Sequence, residues 1–414
     1  MIPEAVRRNP GLCAVCKGTR HLCGQSICPL IFEARKTYEV SVPQGRHLYG
    51  PSPPSFFAGE AGYPMVFAGP LVSSGGERPG VGENPAGWLD LDFAQLISIR
   101  LSLVRSMKRA NIKQNDDRVL GELAQVAMSS KPMDIELTLE RAVMPRFSFS
   151  FHTPPMGPSG TLERVLYIEN PSVPRKVQQI VDDRGVAASM GMVELWDAGV
   201  NEVQITNLLT GGLLGRRRTL VPTRWGITVV DDTLSKAVIT RIKELSVIDA
   251  FRAGYHEALG NRFAVVLLPS SWSFEMLESW LPFTGNTVGE YMIPGDRESG
   301  KGRSSYASNL GGAYYAARLA VAQGLLNLRR QAKCLVFMEV TKSWLAPLGV
   351  WRVREGVRRA MASLSAYDDL EMALGHVLAN METPKKNWLA SSEFIAERMN
   401  YISLDRFLGA SYHE

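Results

Sequence analysis

The chain has 414 residues, 45% of them hydrophobic and 21% charged, with a formal net charge of +5. That is the composition of an ordinary globular protein with room for two or three packed units, and the mild basic excess permits contact with nucleic acid without requiring it. No apolar run approaches the roughly 18 residues of a membrane span and the opening MIPEAVRRNPGLC is too polar for a secretory leader, so a cytoplasmic protein without membrane contact is expected.

Four of the five cysteines fall within sixteen residues, as Cys13, Cys16, Cys23 and Cys28. The Cys-x-x-Cys turn, with Gly18 and Gly24 to let the backbone curl, predicts a structural zinc knuckle; two disulfides or reduced thiols are the rival reading. Four thiolates saturate a tetrahedral ion, so such a zinc staples the segment and does not catalyse. His21 inside the knuckle is an alternative ligand. Cys334 sits in an apolar stretch and reads as a buried small hydrophobe.

A short helix is expected near 30–36, followed by a Pro- and Gly-dense region from Val42 to Gly87 that reads as loops and short strands. Phe56, Phe57, Val66 and Phe67 mark a hairpin there. Helical spacing is predicted over 91–129, including a basic stretch at Arg105, Lys108 and Arg109, and period-two strands at 133–139 and 146–152. Further strands are expected at 162–168, 202–206, 226–230 and 263–268, with helices near 174–190, 233–249, 274–281 and 311–331. Residues 285–309 read as a long binding loop or lid. The whole predicts an α+β or mixed α/β protein, a zinc knuckle (1–40) on a mixed-sheet body (41–383, with a subdivision near 155–220 as an option) and a flexible C-terminal tail (384–414).

Several clusters carry chemistry. Asp231 and Asp232 close the expected strand at 223–232, where adjacent carboxylates point to opposite faces; one faces a site while the other caps the next helix, or both merely cap. Glu275 and Glu278 share a face at i,i+3 on the expected helix, a pair that, joined by an Asp, would hold a second, divalent metal; a solvated edge is the alternative. Gly311 and Gly312 open a helix able to hold a phosphate beside Arg318, although small residues there also permit tight packing. Arg352, Arg354, Arg358 and Arg359 interleave with Trp344 and Trp351 as nucleic-acid surfaces do, and Arg224 and Trp225 join them as candidates; solvated helix charges are the plain reading. His152 at a strand end is a candidate acid or base, or a polar cap.

The tail reads Tyr401-Ile-Ser-Leu404-Asp-Arg-Phe407-Leu408. Leu404 and Phe407, three apart, share a face of a short 3₁₀ turn as in a sliding-clamp (PCNA)-interacting peptide, with Tyr401 in place of the usual glutamine and Leu408 in place of the second aromatic. An amphipathic tail docking on its own core is the alternative. Knuckle and tail together make the chain resemble the archaeal Nre family of DNA-repair-associated proteins over nearly its full length. The segments GPSPPS (50–55), TRWGITVVDD (223–232), WSFEMLESW (272–280), GGAYYAARLAV (311–321) and PLGVWRVREGVR (347–358) look like family blocks. The resemblance implies DNA repair through the clamp and no settled reaction. A metal-dependent hydrolase acting on nucleic acid or a nucleotide, and a non-enzymatic scaffold, are the alternatives.

Overall fold

Alternating small and apolar residues from His47 onward build the first of two sheets. The structure, a computed structural model, describes residues 16, 20–26, 28, 45–73, 85–113, 117–143, 157–282, 290–344 and 347–397. These divide into two compact units, residues 16–237 with 347–349 and residues 238–344 with 350–397. It is an α+β protein with two mixed sheets. No described helix is long and apolar enough to cross a membrane.

In the first unit β1 (His47–Ser52), β2 (Phe56–Ala58), β3 (Met65–Ser73), β4 (Leu103–Asn111), β5 (Met133–Leu139) and β6 (Ser159–Ile168) form a sheet in the order β1-β5-β6-β4-β3-β2. Only the β4–β6 pairing is parallel. The sheet curls until β1 meets β3: the Ser52 hydroxyl donates to the Leu71 carbonyl at 2.6 Å, and a Cβ on Gly50 would lie 2.1 Å from the Ser73 carbonyl oxygen. Glycine is therefore required at that approach. Helices α1 (Phe93–Leu101), α2 (Arg118–Ala124), α3 (Arg175–Asp182), α4 (Ala188–Asp197) and α5 (Glu202–Thr210) belong to this unit, as does most of α6 (Thr223–Ile242). The proline turn after β1 is fixed by α5, where the Asn207 amide donates to the Pro54 carbonyl at 2.8 Å and accepts from the Phe56 amide.

The second unit holds β7 (Phe251–Ala258), β8 (Asn261–Leu268), β9 (Ser273–Trp280), β10 (Gly295–Glu298), β11 (Lys333–Val340) and β12 (Ser365–Tyr367), in the order β10-β9-β11-β8-β7-β12. Strands β9 and β11 are parallel, joined through α7 (Gly312–Leu328), while the other pairings are antiparallel. Helices cover both faces. On one, Tyr314 of α7 meets Phe274 edge-on and Gly356 of α8 (Trp351–Ala362) lies against the Phe263 ring. On the other, Leu277, Leu335 and Phe337 pack with Leu374 and Val377 of α9 (Leu370–Leu378), Trp388 of α10 (Lys385–Ser391), and Phe394 and Ile395. A sheet covered on both sides explains why β8, β9 and β11 are buried along nearly their whole length.

The structure departs from the sequence expectations at six places. Residues 223–242 form one helix, not a strand followed by a helix: Val230, Leu234, Val238 and Ile242 are buried at four-residue spacing, and this stripe overrides the strand propensity of Ile-Thr-Val-Val. Residues 202–206 are helical because Asn201 caps the Gln204 amide and Ile205, Leu208 and Leu209 share a buried face. The basic stretch at 105–109 lies on β4, whose Val104, Ser106 and Ala110 are buried while Arg109 is exposed. Residues 273–280 form a strand. Within the expected loop, 295–298 pair with β9, and the packed chain continues past 384 through Trp388 to Ile395.

Leu259 and Gly260 turn β7 into β8 with φ of 51° and 74°, and a Cβ at Gly260 would sit 2.4 Å from the Trp344 amide nitrogen. Gly260→Ala is expected to lower the unfolding free energy by about 2 kcal/mol or more in denaturant titration. Gly375→Ala, inside α9 with open space around it, should gain about 0.5 kcal/mol instead. Equal midpoints for the two variants would contradict the close approach at the hairpin.

Candidate functional site

In α/β sheets ligands gather beyond the carboxyl ends of parallel strands. In the second unit that position is the end of β9 and β11, where Trp280 and Asn261 both lie beside Val340. Glu278, opposite Met338, and Trp280 share the face covered by α7 and α8. Arg352, in the first turn of α8, is 9% exposed and donates from Nε to the Asn261 side-chain oxygen at 3.4 Å; Asn261 is fully buried and held by the Leu259 carbonyl. Trp344 stands edge-on to Trp280, their centroids 5.4 Å apart. The close approach of Gly260 to 343–344 places it there.

The electrostatics of this corner are strained in opposite senses. Burial pushes the Glu278 carboxyl above the usual carboxylate range, and the Arg352 charge and the Trp280 indole offset this only in part. Burial also lowers the Arg352 guanidinium, against the pull of Glu278. A carboxyl raised by desolvation and facing one specific cation at the end of a parallel pair has the character of a functional group. The sequence had named Glu278 and Arg352 for separate roles. The fold brings them together.

Glu275 is not their neighbour. On a strand, positions three apart face opposite sides, so Glu275 and Glu278 cannot share one metal, and the helix-face pairing is corrected. Glu275 instead accepts from the Ser392 hydroxyl at 2.5 Å and from the amides of Glu393 and Phe394, capping the helical turn at 393–397. Burial raises its carboxyl while those donors oppose the rise. Asp231 and Asp232 are consecutive on α6: Asp231 is buried, and Asp232 pairs with Lys236 at 2.7 Å.

The arginines part company too. Arg318 is enclosed with Glu298 at 2.7 Å, a carboxylate that also accepts from the Trp272 indole, and its guanidinium lies over the Tyr314 and Tyr315 rings. Arg354 is buried beside Glu355, which also takes Arg358 at 2.7 Å. Arg224 and Trp225 are exposed at the start of α6, with Arg224 near Glu60 and Trp225 against Tyr63, centroids 5.1 Å apart. Two residues that sequence reasoning missed organise the second unit: Glu339, which receives Arg262 and the amides of Glu382 and Thr383, and Asn261. A lone acid in the apolar run of β11 was the available signal for Glu339. For Asn261 the signal was its place after the Leu-Gly turn.

Cys16 is buried and Cys23 and Cys28 are half-buried; the turn between them closes through Gly24 N–H to the His21 carbonyl at 2.9 Å, with φ of 51° at His21 and 75° at Gly24. Such a curl suits a thiolate site. Cys13, His152, Tyr401, Leu404, Phe407 and Leu408 lie outside the described residues, among which no three His, Cys, Asp or Glu side chains converge as metal ligands.

The archaeal Nre N-terminal family model matches residues 22–285 and the archaeal Nre C-terminal model matches 298–407. The chain belongs to the archaeal Nre family. Among curated Nre relatives it is 34% identical to the DNA repair protein NreB of Archaeoglobus fulgidus, over 92% of this chain and 96% of that protein. It is 35% identical to NreA of the same organism over 89% of this chain and 94% of the relative, and 33% identical to NreA of Haloferax volcanii over 79% and 82%. Both relatives are likewise named DNA repair proteins. No solved structure matches the chain. Glu278 and Trp280 lie in the N-terminal family region, Arg352 in the C-terminal one.

A raised carboxyl holds its proton more tightly folded than unfolded. Its contribution to stability is therefore complete below the unfolded carboxylate range and is lost as pH rises through the folded value. Glu278→Gln should flatten the fall in melting temperature as pH rises above the ordinary carboxylate range. An unchanged slope would assign Glu278 an ordinary titration.

Proposed function

We propose that this Nre protein works in DNA repair, stapled at its N-terminus by a zinc on Cys13, Cys16, Cys23 and Cys28 and delivered to DNA by a C-terminal peptide that binds the sliding clamp (PCNA). The repair role is carried by near end-to-end similarity to a relative named a DNA repair protein, over 92% of this chain. The zinc rests on four thiols whose spacing and left-handed turn at His21 and Gly24 fit a tetrahedral ion. When bound, the ion supplies rigidity and no open coordination position.

The clamp tether rests on the spacing of Leu404 and Phe407, and the fold adds a base for it. Phe394 and Ile395 are buried, Glu275 caps the turn at 393–397, and Arg297 pairs with Glu393 and Glu397. Tyr401 comes four positions after Glu397. A tether fastened just before its binding peptide lets the peptide search for the clamp while the body stays close to the captured ring. Contact with DNA itself falls to exposed cations and aromatics, of which Arg224 and Trp225 beside Tyr63 are the best placed; phosphate contacts of that kind weaken steeply with added salt.

Calorimetric titration of the full chain against the clamp should show saturable binding that is lost both on ending the chain at Met399 and in Phe407→Ala. Equal heats from all three chains would remove the tether. Separately, the purified protein should release about one zinc per chain on thiol modification, and Cys13→Ser should lose the metal. Full zinc retention in Cys13→Ser would exclude that cysteine as a ligand.

A further inference from the structure

The corner formed by Glu278, Arg352 and Asn261 holds two opposite charges that feel one another without forming an ion pair. Among the described residues the guanidinium of Arg352 makes a single hydrogen bond, from Nε to Asn261, and its two terminal nitrogens meet no acceptor among them. Every other arginine buried in the second unit meets a carboxylate: Arg318 meets Glu298, and Arg354 lies by Glu355. A mostly buried guanidinium whose fork still reaches the surface, without an acceptor there, is ready to receive acceptors from outside the chain.

The walls of the corner are flat and apolar. Trp280 is half-buried, braced edge-on by Trp344. Beside it Met292, 50% exposed, pairs with Trp280 across an antiparallel bridge, so the thioether and the indole lie on the same side of the sheet edge.

An occupant must offer acceptors to the Arg352 fork, donors to the Glu278 carboxylate and a planar face to Trp280 and Met292. Simple ions fail this test. A simple anion would leave the Glu278 carboxyl and the Trp280 face without a partner, and a divalent cation would find one carboxyl and a guanidinium. A nucleobase carries ring-nitrogen or keto acceptors and N–H donors on one planar heterocycle, and it stacks on indole. We propose that the carboxyl end of β9 is a pocket for a single unstacked nucleobase, held by hydrogen bonds to Arg352 and Glu278 and stacked against Trp280 and Met292. Such a pocket reads one base displaced from its strand, as proteins that inspect or modify bases must. The inference rests on the nucleic-acid reading above but not on the clamp or the zinc.

The test uses the full chain and small probes, so that it stands apart from clamp binding. Deoxyguanosine monophosphate, rich in both donors and acceptors, is titrated by calorimetry alongside deoxyribose 5-phosphate, which lacks the base. The expected result is saturable binding of the nucleotide and none of the sugar phosphate. Arg352→Gln, Glu278→Gln and Trp280→Leu should each weaken nucleotide binding by about tenfold or more, while Trp280→Phe retains most of it. Circular dichroism and melting temperature establish that each variant is folded. If Arg352→Gln does not fold, Glu278→Gln and the Trp280 pair decide the matter. Equal binding of the base-free probe, no nucleotide binding by the parent chain, or unchanged affinity in folded Glu278→Gln and Trp280→Leu would each overturn the pocket. Loss of clamp binding with nucleotide binding intact would leave the pocket standing and remove only the tether.

Discussion

The register of β9 is the constraint on which the second unit depends. One strand carries two glutamates three residues apart into a sheet covered on both faces, and the pleat sends Glu275 to one layer of helices and Glu278 to the other. Pairing with β11 on one side and β10 on the other holds that register along the strand. A slip of a single residue would exchange the faces, bringing Leu277 out of the lower core and Glu278 into it. The cap on the C-terminal turn and the charged corner beside Arg352 would be lost together.

Three other carboxylates of this unit are buried in closed sets. Glu298 takes both Arg318 and the Trp272 indole. Glu339 takes Arg262 and two backbone amides. In each set the donors match the acceptors, which is the condition under which a buried ion costs little and fixes its surroundings. Asp296 follows the same rule, accepting from the amides of Asn309 and Leu310 and from Arg303. Glu278 and Arg352 depart from it. Two charges near each other yet unjoined, beside three carboxylates whose sets are closed, mark a place shaped by something other than stability.

The architecture was legible where one face of an element met water or where apolar length alone decided. Alternation fixed β5, an unbroken apolar run fixed β8, and the small-residue stripe fixed α7. Helix α6 was misread because Ile227 to Val230 are β-branched, a local preference that the buried spacing of Val230, Leu234 and Val238 overrules. The stretch at 273–280 was misread for the opposite reason. Glu275 and Glu278 look like the wet side of a helix because a strand buried on both faces is not expected to contain acids; their partners at Ser392 and Arg352 lie more than seventy residues away, and no local window contains them. The residues of the corner were therefore nameable one by one from the sequence. Their convergence was not.

The placement of the two glutamates also links the two ends of the proposed work. The residues preceding the proposed clamp-binding peptide are held on the Glu275 face, where Lys333 lies over the Phe394 ring at 4.1 Å and Arg297 reaches Glu393 and Glu397. Glu278, and with it the corner beside Arg352, lies on the opposite face of the same strand. Because β9 is paired on both sides, a tail engaged with a clamp and a base engaged with Arg352 would be registered against one backbone only three peptide planes apart in its pleat. Tethering would then do more than raise local concentration: it would orient the corner relative to the DNA that the clamp encircles, and the orientation would be set by the pleat of a single strand.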